Sequence, residues 1–548
     1  MELNSAPRLR VELCIRIVVP MNMPLMNNAA VLAALTRVLG SQHVVTDPAE
    51  RDFFSTDVYR SGARPLAIIR PGSSDELSRA LQAISPSGLA IVPRGGGMSY
   101  TDGYLPANPD SIMVDMLRMD RILEINADDC HVTVECGATW KALYDALQPR
   151  GVRTPYWGPL SGLKSSIGGA LSQGSMFLGS GQFGPVSESV IGLDVVLVDG
   201  TVLHLGAHAN KNGTPFLRQS GPDLLGLFLS DCGALGIKTA ATLRLIRPDA
   251  EPRFMSFSFD RHPDLFAAMA AVARENLASE QFAFDPGLQA QRMKRTSLTE
   301  DVKALGKVMQ AAGGGLKALQ AGASVVLAGR NFLQEGTFST HVSLDGRDAA
   351  DADAKAARVR QIMTAKGREV ENTVPKVMRA NPFAEVNSML GPNGERWVPV
   401  HGIVAFSQAA AMFDACEKVF ADYGSDCEKF DIEHGYLCAT VGGAGTLIEP
   451  VMYWPDARNR FHERVLAADY LARLQSYPPN PAAYAAVHCL RTELASCFMK
   501  NGAVSFQVGK FYPYQQGLDP SAAHLLGSLK QMLDPGGRMN PGSLGLAP

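Results

Sequence analysis

The stretch that most limits what this chain can fold into is Pro93-Arg94-Gly95-Gly96-Gly97-Met98-Ser99-Tyr100-Thr101-Asp102-Gly103. It follows an apolar run at 88–92 that reads as a short buried strand. Three successive glycines let the backbone turn through positive φ and let a ligand approach the main chain without meeting a Cβ. Successive N–H groups in such a turn form an anion nest suited to a pyrophosphate. Arg94 adds charge and Ser99 a hydroxyl. Triple glycines also occur in ordinary loops, so this motif draws its weight from its company.

That company is a strand-rich block. Residues 66–69, 89–92, 111–115 and 122–125 read as strands, 131–135 alternates with period two, and Ser74 opens a helix to Ile84. Thr139 caps a helix through Leu147, and 29–40 is a helix stopped by Gly40. A second glycine-rich segment spans 158–174, where Pro159, Ser165, Ser166, Gly168 and Gly169 place small residues and hydroxyls just before a helical stretch. Strand 190–198 closes on Asp199-Gly200 with 201–205 as its return. A third glycine turn, 231–237, precedes strand 239–245.

Composition narrows the function classes. At 548 residues the chain has room for two to four domains. A net charge of −3 gives no footprint for nucleic acid or an anionic membrane. Nine cysteines without a C-x-x-C pair argue for reduced thiols and a cytoplasmic setting. Residues 11–20 faintly suggest a signal peptide, but Glu12 and Arg16 interrupt them, and 1 to about 22 reads equally as an over-long start before Met21 or Met23. No run reaches the roughly 20 apolar residues of a membrane span.

The block from about 66 to 248 resembles the FAD-binding domain of the vanillyl-alcohol oxidase / p-cresol methylhydroxylase (PCMH-type) flavoprotein family. The resemblance rests on 93–99, on Ser166-Ile167-Gly168-Gly169 with Gly158 before it, on 183–201, on 233–237, and on Asn540-Pro541-Gly542 within 533–542. It implies an α+β fold: a two-subdomain FAD-binding domain plus an α+β cap domain with an antiparallel sheet. The implied division is an N-terminal extension and helix at 1–44, an FAD-binding domain at 45–248, a cap at 249–490, and a return to the FAD-binding domain at 491–548.

The same resemblance implies that Arg94, Gly95, Gly96, Gly97, Met98, Ser99 and Gly103 surround the pyrophosphate. Pro159, Ser165, Ser166, Gly168 and Gly169 would line the ribityl–phosphate arm, and Gly236, Ile237 and Asn540 complete the cofactor site. Met98 stands where some relatives carry a histidine linked to FAD. A thioether cannot form that link, so the expectation is non-covalent FAD, with attachment through a His or Tyr of the cap, as in other relatives, left open.

In the cap, strands are read at 254–259, 281–284, 338–344, 397–406 and 438–441. Helices are read at 265–277, 349–366 and 408–423, with a helix–loop–helix at 299–323. Oxidation of a CH–OH group calls for a base and for a cation or metal to hold an oxyanion or carboxylate. The candidates are His401 and the pair Glu433-His434, which a helix and a return would bring side by side. Glu433-His434-Gly435 resembles the Glu-His-Gly of FAD-linked D-lactate, glycolate and D-2-hydroxyglutarate dehydrogenases, where it helps hold a divalent metal. The upstream histidine motif of that branch is missing here, which leaves a metal site in doubt.

The reading is therefore an FAD-dependent oxidoreductase, dehydrogenase or oxidase, acting on a 2-hydroxy acid such as D-lactate or glycolate. His401 or His434 would be the base and Glu433 its orienter. The first alternative is oxidation of a phenolic alcohol or 4-alkylphenol, with Tyr436, Tyr453, Tyr512, Tyr514 or Arg458 as phenolate partners and Tyr156 and Trp157 facing the ring. The second is a catalytically degenerate flavin-binding subunit of a larger complex. The electron acceptor (oxygen, quinone or cytochrome) and self-association stay open.

Overall fold

The structure is a computed structural model that describes residues 26–211, 213–295 and 336–546; the expected helix–loop–helix at 299–323 lies outside them. The first apolar strands form a small sheet. β1 (Val44–Val45) lies antiparallel to β2 (Ala67–Ile69), and β3 (Ala90–Arg94) and β4 (Ser111–Asp115) run parallel to β2 in the order β1-β2-β4-β3. Parallel strands need a covered crossover, and the helix Ser74–Ile84 supplies it. Ser73 caps that helix through the Glu76 N–H, and Leu77, Ala80, Leu81 and Ile84 face the sheet. The helix Asn28–Leu39 packs into the same core through Val31, Leu35 and Leu39.

A second sheet holds β5 (Ile122–Asn126), β6 (His131–Glu135), β7 (Val190–Val196), β8 (Val202–Gly206) and β9 (Ile237–Arg244), all antiparallel, in the order β5-β6-β9-β7-β8. Thr139 accepts from the Ala142 N–H and starts the helix Trp140–Leu147 as expected. The Asp199-Gly200 turn joins β7 to β8.

The third sheet has eight strands: β10 (Glu251–Phe259), β11 (Glu280–Phe284), β12 (Phe338–Gly346), β13 (Arg368–Val370), β14 (Arg396–Pro399), β15 (Gly402–Ala405), β16 (Glu433–Val441) and β17 (Gly445–Trp454). Its order is β13-β10-β12-β11-β16-β17-β14, with β15 also on β17, and every pairing is antiparallel. One face is covered by the helices His262–Arg274, Ala349–Met363 and Ala409–Asp422. The other, with Phe282, Phe284, Leu447 and Val451, turns toward Met176 and Phe177 of the second glycine-rich region.

Two expectations in this sheet need correction. The strand read at 397–406 is broken at Val400-His401. Pro450 stands opposite Val400 and has no N–H to give, so Val400 keeps one ladder bond, N–H to the Pro450 carbonyl at 2.9 Å. The strand read at 438–441 begins earlier, at Glu433, because its pairing with β17 continues to Tyr453.

Candidate active site

The three glycine turns converge on one cleft. The first leaves β3 at Arg94 and packs directly on the second. A Cβ at Gly95 would overlap the Ser166 hydroxyl, and one at Gly96 the Lys164 carbonyl. This contact, more than conformational freedom, requires glycine there. None of the N–H groups of Gly96, Gly97, Met98 and Ser99 donates to an acceptor among the described residues, although Gly97 and Ser99 are buried. Buried main-chain donors are almost always satisfied, so this turn is built to receive an acceptor-rich group. Arg94 adds positive charge beneath it. Its guanidinium is 4.5 Å from the Phe54 ring and 5.1 Å from that of Tyr104, and its Nε has no hydrogen-bond partner among the described residues.

The second turn is fixed by Ser166, whose hydroxyl accepts the Gly169 N–H at 3.2 Å and caps the helix Ile167–Gln173. The Ser161 and Ser165 hydroxyls bond each other at 2.6 Å. The third turn is organised by Asp231, which accepts the N–H groups of Gly233 and Leu235 and pairs with Lys238 at 2.6 Å. That ion pair is almost wholly buried.

All the residues expected to meet the cofactor line this cleft except Asn540. Asn540 sits behind it, donating through Nδ2 to the carbonyls of Gly103 at 2.8 Å and Cys232 at 2.7 Å. It ties the first turn to the third. Sequence reasoning did not single out Gln173, Cys232, Lys238 or Gln507, which also line the cleft. Gln507 has φ +48° and donates its N–H to the Gln173 carbonyl at 2.6 Å. A positive φ at a non-glycine residue has no sequence signature, so this position was not legible.

Behind Gln507 lies a buried polar group. Pro399↔Val451 and Gly402↔Ile448 set the register that puts His401 opposite Glu449. His401 is fully buried, its Nε2 donates to the Phe506 carbonyl at 2.5 Å, and its N–H donates to the Tyr512 hydroxyl at 2.8 Å. Among the described residues its Nδ1 has no hydrogen-bond partner, and it lies 3.8 Å from Glu449. Burial lowers the imidazole to about 4, against the raising effect of the Phe506 carbonyl. Burial pushes the Glu449 carboxyl up to about 8. Tyr100 joins the group, edge-on to Trp397 at 5.5 Å and to the His401 ring at 6.2 Å.

The structure does not bring Glu433 and His434 to this cleft. Glu433 is half-exposed at the start of β16, paired with Lys294 at 3.3 Å and with Gln291. His434 stacks on Phe420 at 3.7 Å and bonds Glu417 at 3.2 Å, over a separate hollow beside the helix Ala409–Asp422. The expectation that they adjoin His401 fails on register: β17 pairs His434 with Met452, three residues beyond the position opposite His401. Among the other candidates, only Tyr512 touches His401. Arg458 is spent on the carbonyls of Leu471, Leu474 and Gln475, Tyr436 on Glu417, and Tyr156 on Ser175. Trp157 packs among Tyr144 and Phe383. Among the described residues no group of three or more His, Cys, Asp or Glu side chains is placed to hold a metal, and no helix is long and apolar enough to cross a membrane.

Residues 65–206 match the family model described as FAD binding domain. Over 262 residues the chain is 30% identical to D-2-hydroxyglutarate dehydrogenase of Xanthomonas citri pv. viticola, covering 47% of this chain and 53% of that one. Over 257 residues it is 28% identical to D-lactate dehydrogenase [cytochrome] 1, mitochondrial, of Saccharomyces cerevisiae, covering 45% and 42%. The chain thus spans about half the length of the curated relatives it matches. Among solved structures, p-cresol methylhydroxylase with substrate bound superposes with a TM-score of 0.69 at 16% identity, covering 95% of this chain and 98% of that one. At that identity the likeness concerns the fold.

Proposed function

We propose that this chain, which carries an FAD-binding domain of the PCMH type, is an FAD-dependent oxidoreductase that oxidises the CH–OH group of a 2-hydroxy acid. The observation that carries the reading is the cleft itself, with unsatisfied main-chain donors at Gly96, Gly97, Met98 and Ser99 in one wall and Gln507 in its lining; the buried His401–Glu449 pair lies behind Gln507, outside that lining, with His401 bonded to the Phe506 carbonyl. The donor set fits FAD. The amides of the first turn and Arg94 would hold the diphosphate, and Ser165, Ser166 and Gly169 the ribityl arm. With methionine at 98, the cofactor would be held without a histidyl bond there. When bound, FAD would supply the two-electron redox chemistry of this oxidation.

The chain's own part is the proton. His401 is neutral at neutral pH, since burial lowers it to about 4, and its Nε2 proton is committed to Phe506. Nδ1 is therefore its accepting atom. We assign the base role to His401 alone, since Glu433 and His434 are engaged elsewhere, with Gln291 and Lys294 and with Glu417 and Phe420. The domain division follows the same reading, with 45–248 and 491–548 holding the flavin and 249–490 capping it. The dehydrogenases that are similar over about half of this chain favour a 2-hydroxy acid. A second reading, oxidation of a phenolic substrate, is favoured by Tyr100, Tyr512 and Trp397 around His401.

Anaerobic mixing with substrate separates them. D-lactate or D-2-hydroxyglutarate should bleach the flavin bands while vanillyl alcohol does not. The reverse result selects the phenolic reading. Bleaching by neither, with FAD bound, rejects both in favour of a flavin-binding subunit.

A further inference from the structure

Arg94, the cation beneath the first glycine turn, is 4% exposed and makes no ion pair among the described residues. A buried cation without a counter-ion is costly, and here aromatic faces stand in for one. The guanidinium rests against the rings of Phe54 at 4.5 Å, Tyr104 at 5.1 Å and Phe53 at 5.3 Å, all within the roughly 6 Å at which a ring attracts a cation. Its Nη2 also occupies the place where a Cβ on Gly97 would fall. The first turn is thus folded round the guanidinium, and a shift of one moves the other.

Two of those rings end the short helix Pro48–Phe54, which Asp47 caps through the Glu50 N–H. Phe54 is buried, whereas Phe53 is only half-buried. The cap reaches Phe53 with the helix Arg460–Val465. The Arg464 guanidinium lies 4.3 Å from the Phe53 ring centre, and its Nη1 bonds Glu50 Oε1 at 2.5 Å. One turn earlier Arg460 bonds Asp52 at 2.8 Å and meets no ring among the described residues. Phe53 therefore carries two guanidinium groups, one from the cap and one from the first glycine turn. Neither Phe53 nor Arg464 lines the cleft.

Given the reading that Arg94 meets the diphosphate of FAD, we propose that Arg464 is a positioning residue for that group. It holds Phe53 against Arg94 and so fixes the cation under the first turn from outside the cleft. Glu50 orients the Arg464 guanidinium, and Phe53 passes the constraint on. The cap thereby contributes to cofactor retention without touching the cofactor, by a route separate from His401. Such coupling is reciprocal: bound FAD also strengthens the hold of the cap on the helix Pro48–Phe54.

The test follows FAD release from the full-length holoprotein on serial dilution, read as free-flavin fluorescence. Arg464→Gln should weaken FAD binding about two- to fivefold, the worth of a cation on a ring at an exposed site. Arg460→Gln breaks the neighbouring ion pair without touching a ring and should leave binding unchanged, which separates positioning through Phe53 from cap docking in general. Both side chains are about half-exposed, at 48% and 56%, so neither change opens the core. Phe53→Leu should weaken binding at least as much as Arg464→Gln, and the double variant no further, because both act through one ring. Arg94→Gln checks the underlying reading and should weaken binding more than Arg464→Gln. The proposal is overturned, with the diphosphate assignment intact, if Arg94→Gln weakens binding and Arg464→Gln does not. It is equally overturned if Arg460→Gln matches Arg464→Gln, or if the Phe53 and Arg464 losses add. If Arg94→Gln changes nothing, the diphosphate assignment itself falls and the proposal with it. The comparison of Arg464→Gln with Arg460→Gln decides the matter even if Phe53→Leu fails to fold.

Discussion

At the scale of single residues, Glu449 is the most revealing side chain in the cap. It sits in the middle of β17, almost wholly buried, with no cation against it and His401 Nδ1 at 3.8 Å. Burial raises its folded-state value to about 8, whereas an unfolded glutamate titrates near 4.5. Between those limits the unfolded chain releases a proton that the folded chain keeps, so stability falls as pH rises from about 4.5 to 8, by up to ~1.4 kcal/mol per pH unit. Glu449→Gln removes the titration and keeps the shape. The variant should match the wild type near pH 4.5 and exceed it by a growing margin toward pH 8, measured as Tm across that range. Parallel pH curves would show that the carboxyl is not held neutral. Gly95 and Gly96 were legible at this scale because their close contact with Ser166 and Lys164 admits no other residue. Glu449 was not, since a lone glutamate beside a proline reads as a loop until β17 is seen to be buried along its whole length.

Among the elements, pairing register decides what reaches the cleft. Glu433-His434-Gly435 was visible as a motif, but its position on β16 against β17 sends His434 to Phe420 and Glu417 and leaves Glu433 half-exposed against Gln291 and Lys294. A motif read along the chain carries no register, and strand side chains alternate faces. The docking of the cap sheet on the second glycine segment depends instead on Arg379, at the end of the helix Thr373–Ala380. Its guanidinium bonds Asp345 of β12 at 3.0 Å and Glu280 of β11 at 2.6 Å. It also lies 5.6 Å from the Trp157 ring. Trp157 in turn donates to Glu280 at 3.3 Å. Both carboxylates are buried at this junction. Arg379→Met leaves them without their cation, a loss typically of about 3–5 kcal/mol for a buried pair. The expected outcome is a lower Tm in thermal unfolding. Asp345→Asn in the same background should recover part of the loss by removing one unpaired charge; no recovery would mean that packing of the arginine stem, not its charge, holds the junction.

The whole molecule closes through its last residues. Ile91 of β3 donates to the Arg538 carbonyl, and Asn540 donates its N–H to the Ile91 carbonyl, each at 2.8 Å. The C-terminal stretch thus extends the strand that launches the first glycine turn. Asn540 then reaches across to the carbonyls of Gly103 and Cys232, fixing the first turn against the third. Lys530 adds a buried tie, bonding Asp534 at 2.7 Å and the Ala234 carbonyl at 2.8 Å. Residues more than four hundred positions apart therefore set the width of one cleft, which a reading of local patterns along the chain does not reveal. Asn540→Ala leaves two buried carbonyls unsatisfied, about 1–3 kcal/mol each in such settings, and frees the two turns to part. The variant should purify with less bound FAD than the wild type, read from the ratio of flavin to protein absorbance, and excess FAD should raise its Tm by mass action. Full occupancy in Asn540→Ala, with an unchanged Tm, would show that the glycine turns keep their spacing without the C-terminal tie.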